Sequence, residues 1–158
     1  MSEPMKETAE QSRYLCFSLG SEEYAIPLLT VKEVIAMPEI TPVPQTPAYF
    51  LGIMNLRGQV ITILDLRQKL NIKPQGNSET SVVICDFEKF SVGVVVDSIN
   101  SVLAPEENTI VPKPDLQNSK ASAYVTGVYR KDKRLVLFLD IFKSLNIEDQ
   151  SSIKKHAA

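Results

Sequence analysis

Apolar residues along this chain recur at every second position far more often than at every third or fourth. Leu15, Phe17 and Leu19 alternate with Cys16 and Ser18, and Tyr24, Ile26 and Leu28 alternate with Ala25 and Pro27. With Gly20-Ser21-Glu22-Glu23 as the turn between them, these residues predict a β-hairpin. A second hairpin is predicted from Val82-Val83-Ile84-Cys85, the turn Asp86-Phe87-Glu88-Lys89 and the run Phe90 to Val96. Val60 to Leu64 and Leu135 to Leu139 are apolar on successive residues, which is the pattern of central strands covered on both faces.

Helix is confined to short pieces. Prolines at 38, 42, 44 and 47, and again at 105, 112 and 114, forbid regular helix and favour extended loop or edge strand. Thr46-Pro47-Ala48-Tyr49-Phe50-Leu51-Gly52 combines an N-cap residue type, an early proline and a terminal glycine, and predicts one helical turn. Asp65 to Leu70 and Asp140 to Leu145 each place an acidic cap after a strand, predicting a short helix there. Leu29 to Met37 fits two turns of helix stopped by Pro38, or equally a turn followed by a strand.

The chain repeats itself. A shift of 75 positions carries Gly52 to Gly127, Leu64-Asp65 to Leu139-Asp140 and Leu70-Asn71-Ile72 to Leu145-Asn146-Ile147, with Ala48-Tyr49 falling on Ala123-Tyr124. The hairpins correspond at a slightly smaller shift. Two copies of one β unit, all short strands, favour an all-β fold of two small barrels sharing a hydrophobic core, since closure removes exposed sheet edges. A single sandwich built from all the strands is the alternative.

Composition narrows the function. Of 158 residues 44% are hydrophobic and 23% are charged, with 17 Lys+Arg against 19 Asp+Glu. That balance describes a globular domain and lacks the basic footprint of a nucleic-acid or anionic-lipid binder. No apolar run reaches the roughly 20 residues of a membrane span, and residues 1–12 resemble no secretory signal, so the chain is expected to stay in the cytosol. Residues 1–12 and 149–158 read as flexible tails around a domain spanning 13–148.

Chemistry is scarce. The single histidine, His156, falls in the C-terminal tail, so no histidine-based triad or zinc site can be assembled. Cys16 and Cys85 sit in mid-strand as expected of buried thiols. Asp65 and Asp140 are better explained as helix caps, worth about 1 kcal/mol each, than as a carboxylate dyad. What remains is binding. The turn before the central strand is Asn55-Leu56-Arg57-Gly58-Gln59 in the first copy and the charged Arg130-Lys131-Asp132-Lys133-Arg134 in the second. An isolated arginine in the first suits a partner's carboxylate or carbonyls, with ordinary solvation as the competing reading.

The string Gly52 to Arg67 (GIMNLRGQVITILDLR) resembles the signature of the CheW family of chemotaxis coupling proteins. Phe17-Ser18-Leu19-Gly20, Glu23 to Pro27, Val31-Lys32-Glu33-Val34 and Val92 to Asp97 match the family in the same order, so the resemblance covers Arg13 to Ile147. It implies two tandem five-stranded SH3-like barrels with short helices, no catalysis, no cofactor and no metal. It also implies a cytoplasmic adaptor between transmembrane chemoreceptors and a chemotaxis histidine kinase. The receptor-facing set would be Val31, Glu33, Val34, Asn55, Arg57 and Gly58, while no motif names the kinase-facing residues. Ile35-Ala36-Met37-Pro38 departs from the charged or polar residue that family members often carry there. The competing functions are an adaptor of another chemosensory pathway, such as pilus motility, and a small-molecule-binding two-barrel protein.

Overall fold

In a computed structural model, which describes residues 13–74, 80–106, 109–112, 124–145 and 147–156, the strand pattern holds. The first copy contains β1 (Tyr14–Leu19), β2 (Glu22–Pro27), a 3-10 turn (Leu28–Thr30), β3 (Val31–Ala36), β4 (Phe50–Leu56), β5 (Gln59–Asp65) and helix α1 (Leu66–Lys69). The second contains β6 (Ser81–Phe87), β7 (Phe90–Val96), β8 (Ser98–Leu103), β9 (Ile110–Pro112), β10 (Val125–Lys131), β11 (Arg134–Leu139) and helix α2 (Ile141–Ser144). A further helix, α3 (Ile147–His156), follows. Asp65 and Asp140 cap α1 and α2 through the Arg67 and Lys143 amides, and both helices stop after one turn.

The two copies exchange their hairpins. One sheet runs β8-β1-β2-β11-β10-β9 and the other β3-β6-β7-β5-β4. Each first hairpin therefore pairs with the later strands of the other copy, joined through the parallel contacts β2/β11 and β7/β5. The two barrels expected from the repeat, SH3-like as the family resemblance implies, are present, with every barrel containing strands of both copies. Each barrel is closed at the same place. Thr41 bridges Ile53 on β4 through backbone bonds of 2.8 and 2.9 Å, and β9 pairs Val111 with Val128, the residue 75 positions after Ile53. This closing segment makes the first sheet six-stranded where five strands were expected.

Closure also decides Gly52. It lies in β4 at φ +143°, where an added Cβ would collide with the Thr41 carbonyl. The expected helical turn ending at Gly52 is instead a tight turn, with the Phe50 amide bonded to the Pro47 carbonyl, leading into a strand. Between Leu29 and Met37 the structure adopts turn followed by strand.

Alternation sorts the side chains into three clusters. Cys16, Ala25, Val136 and Phe138 fill the first barrel, while Ile61, Ile63, Val82 and Ile84 fill the second. The opposite faces of the same strands, including Phe17, Leu19, Leu64, Val83, Val94 and Leu137, meet in one shared core between the barrels. Strands apolar on successive residues are thus those whose two faces serve two cores. Cys16 and Cys85 are buried thiols, and burial pushes Cys85 up to about 12.

The C-terminal tail expected over residues 149–158 is largely helical. Ile153 is fully buried in the shared core, and the Asp149 carboxylate bonds the Tyr49 hydroxyl at 2.6 Å and Lys69 at 2.7 Å. Long-range contacts order a segment whose own sequence carries little apolar signal. The N-terminal segment 1–12 lies outside the described residues.

Candidate functional site

Strand β3 sits at the edge of the second barrel's hydrogen-bonded sheet, and one irregularity in it shapes the surface. Its register against β6 shifts between Val31 and Glu33, so Lys32 is bulged out. Directly opposed residues of an antiparallel pair share a face. Val31 opposes Cys85 and Val34 opposes Val83, both in the shared core, so the bulge brings these two valines to the inter-barrel side. Val31 is half-buried against that core, while Val34 stays 40% exposed. Glu33 opposes Ile84 and turns the other way, toward the barrel mouth.

At that mouth lies the β4–β5 turn. Leu56 pairs with Gln59, leaving Arg57 and Gly58 as a two-residue loop with φ of +52° and +87°, the geometry of a type I′ turn. Asn55 accepts a hydrogen bond from the Gly58 amide at 2.8 Å and pins the turn. Arg57 reaches back across the mouth to Glu33, donating from Nη1 to Oε1 at 2.7 Å and from Nη2 to Oε2 at 2.9 Å. Its side chain is 70% exposed, against 24% for Glu33. The hydrogen bonds from Arg57 hold the Glu33 carboxyl below its ordinary value. Two of the five guanidinium N–H donors are engaged there, leaving an open edge and face.

The six residues singled out from the sequence are therefore not equivalent. Glu33 and Arg57 form one ion pair, Val31 and Val34 form one apolar strip, and Asn55 and Gly58 serve the turn. Residues not expected from the sequence emerge through the repeat. A shift of 68 superposes Leu15 on Val83 and Phe17 on Cys85 in the shared core, and it carries Val31 and Val34 to Ile99 and Val102 on β8. The β8 register shifts at the same place, and Ile99 and Val102 oppose Phe17 and Leu15, so they too face the inter-barrel side. Val102 is 54% exposed. Each barrel thus carries one apolar edge strip flanking the shared core, and extending the repeat through β3 would have found the second.

A second arginine site lies at the other end of β5. Arg67 grips Asp65 through Nε at 3.0 Å and Nη2 at 3.1 Å, and donates from Nη1 to Asp97 at 2.7 Å. Asp97 is fully buried and also accepts from the Gly20 amide of the β1–β2 turn. This network ties α1, β7 and the first hairpin together and is structural. No group of three or more histidine, cysteine or acidic side chains able to hold a metal occurs among the described residues. Nor, among them, is any helix long and apolar enough to cross a membrane.

The family model for the CheW-like domain matches residues 13–149. The chain belongs to the CheW-like family. It is 35% identical over 141 residues to the chemotaxis protein CheW of Klebsiella aerogenes, covering 89% of this chain and 85% of that protein. It is 25% identical over 159 residues to protein FrzA of Myxococcus xanthus, covering 96% and 99%. The crystal structure of the scaffolding protein TtCheW from Thermoanaerobacter tengcongensis matches with a TM-score of 0.78 at 28% identity, covering 87% of this chain and 94% of that one. The family consists of coupling and scaffold proteins rather than enzymes, and the chain is a chemotaxis coupling adaptor.

Proposed function

We propose that this CheW-like adaptor couples the helical cytoplasmic tip of methyl-accepting chemoreceptors to the regulatory domain of a chemotaxis histidine kinase, and that it reaches the inner face of the membrane only through those receptors. The observation that carries the reading is the exposed bidentate Arg57–Glu33 pair standing beside the strip of Val31 and Val34. An amphipathic receptor helix needs an apolar seat and a few orienting polar groups, which the β3 strip, its counterpart Ile99 and Val102, and the free donors of Arg57 supply. Signal passes because both partners are held at once, so the adaptor contributes coupling free energy rather than chemistry.

The test is co-sedimentation with receptor-containing membranes and the kinase. The wild-type protein is expected to join the complex and activate the kinase, and failure to bind either partner would overturn the reading. Similarity to FrzA favours one second reading, an adaptor of a different chemosensory pathway such as pilus motility, in which the same surface takes another receptor's tip. Exchange of receptors from the two pathways in the same assay separates them.

A further inference from the structure

The repeat places two very different structures at equivalent positions. In the first copy Arg67, following the cap Asp65, fills the space against β7 and pairs with Asp65 and Asp97. Seventy-five positions later the cap is Asp140, and the residue equivalent to Arg67 is Phe142. Under the shift of 68 the residue equivalent to Asp97 is Leu29, which is 65% exposed. The charged plug of the first copy is therefore missing from the second. In its place is an open cavity of about 400 Å3, lined by Tyr14, Thr126, Phe138, Phe87 and Phe142, with Asp140 as the single charged group among the described residues.

The lining combines aromatic side chains with one carboxylate. Tyr14 and Phe138 lie with ring centroids 4.5 Å apart on one wall, and Phe87 meets Phe142 edge-on at 5.3 Å on another. Aromatic faces carry negative charge density and attract guanidinium and ammonium groups. The same aromatic cluster already receives one cation from outside, since Lys154 Nζ stands 5.9 Å from the Phe90 ring that stacks on Phe142. Asp140 accepts the Lys143 amide as a helix cap, and no salt bridge reaches it among the described residues. Its counterpart Asp65 shows what such a cap receives when complete, a bidentate guanidinium. A planar guanidinium satisfies both demands, stacking on rings and forking onto a carboxylate, where an ammonium satisfies them less well.

We propose that this cavity binds an arginine side chain carried by a partner polypeptide, which supplies in trans the group that Arg67 supplies within the first copy. A polypeptide source follows from the lining. Among the described residues it holds one carboxylate and no cationic residue, so no charged partner in it meets the α-carboxylate of the free amino acid. The aromatic walls accommodate an apolar residue beside the arginine, and Phe142, 45% exposed, leaves the mouth open to a chain lying across it.

The test is an NMR titration of the full chain with Nα-acetyl-arginine amide, followed at the Thr126 and Gly127 backbone amides. Saturable shifts are expected. Asp140→Asn, which retains a good helix cap, should weaken binding by about tenfold, the effect of losing a charge-assisted bond. Phe142→Arg installs the first-copy residue on an exposed position and should abolish binding by filling the cavity from within. Nα-acetyl-citrulline amide, equal in shape and uncharged, should not bind. Absence of saturable shifts, equal binding of the citrulline probe, or indifference to Asp140→Asn would each overturn the proposal. Tighter binding of free arginine than of the capped form would overturn the polypeptide source.

Discussion

Arg57 and Arg67 stand ten positions apart, and each grips a carboxylate with two nitrogens, yet their surroundings are opposite. Arg67 is 12% exposed and its second acceptor, Asp97, is fully buried. Removing it would take the guanidinium from two carboxylates held away from water. Arg57 is 70% exposed, so its pair with Glu33 is screened by solvent and adds little to folding. A pair that stabilises little and yet holds a guanidinium in one orientation is suited to recognition. The difference shows that the same ion-pair geometry can lock a core or stand open at a surface according to what water can reach.

The contrast can be broken at several points. Arg67→Ala should cost about 3 kcal/mol of unfolding free energy in urea, because a buried pair loses one partner and the other stays behind. A loss no larger than that of an exposed substitution would erase the distinction. Asp149→Ala should cost about 2 kcal/mol and release α3, measured as faster amide exchange at Ile153, since Lys69 and Tyr49 both lose the carboxylate they bond. Thr62→Val sharpens the point from the other side. Among the described residues the Thr62 hydroxyl is buried without a hydrogen-bond partner, so its removal should stabilise by about 1 kcal/mol, which would show that burial helps a polar group only when it is paired.

The smallest effect is a titration. The bonds from Arg57 lower the Glu33 carboxyl below 4.5, so the pair's contribution is complete above 4.5 and disappears as pH falls through the lowered folded value. NMR of the Glu33 side-chain carboxyl should give a midpoint below 4.5 that returns upward in Arg57→Ala. An unchanged midpoint would mean the pair does not persist in solution.

Much of this architecture can be read from residues close in sequence. The hairpins follow from alternation, and the caps at Asp65 and Asp140 follow from an acidic residue between strand and helix. Local patterns fail where distant chain decides. Gly52 carries the residue type of a helix C-cap, yet the Thr41 backbone pressing on it makes it a strand glycine. Residues 149–158 have almost no apolar periodicity, and it is Lys69, Tyr49 and the shared core that hold α3 in place. The hairpin exchange is equally hidden, because both copies offer near-equivalent edges and only three-dimensional pairing distinguishes them. At the candidate site, residue type and loop position singled out Arg57. Glu33, 24 residues earlier, came with the family resemblance, but its pairing with Arg57 required the bulge and the register, and the β8 strip of Ile99 and Val102 required the repeat to be carried through β3.

The most direct test of the division between the two arginines is Arg57→Asp, with urea unfolding and binding to receptor-containing membranes measured on the same preparation. We expect an unchanged unfolding midpoint together with loss of receptor binding, since two facing carboxylates at the barrel mouth remove the oriented guanidinium and leave the core untouched. Receptor binding equal to that of the wild-type protein, with the midpoint unchanged, would contradict the assignment of this surface.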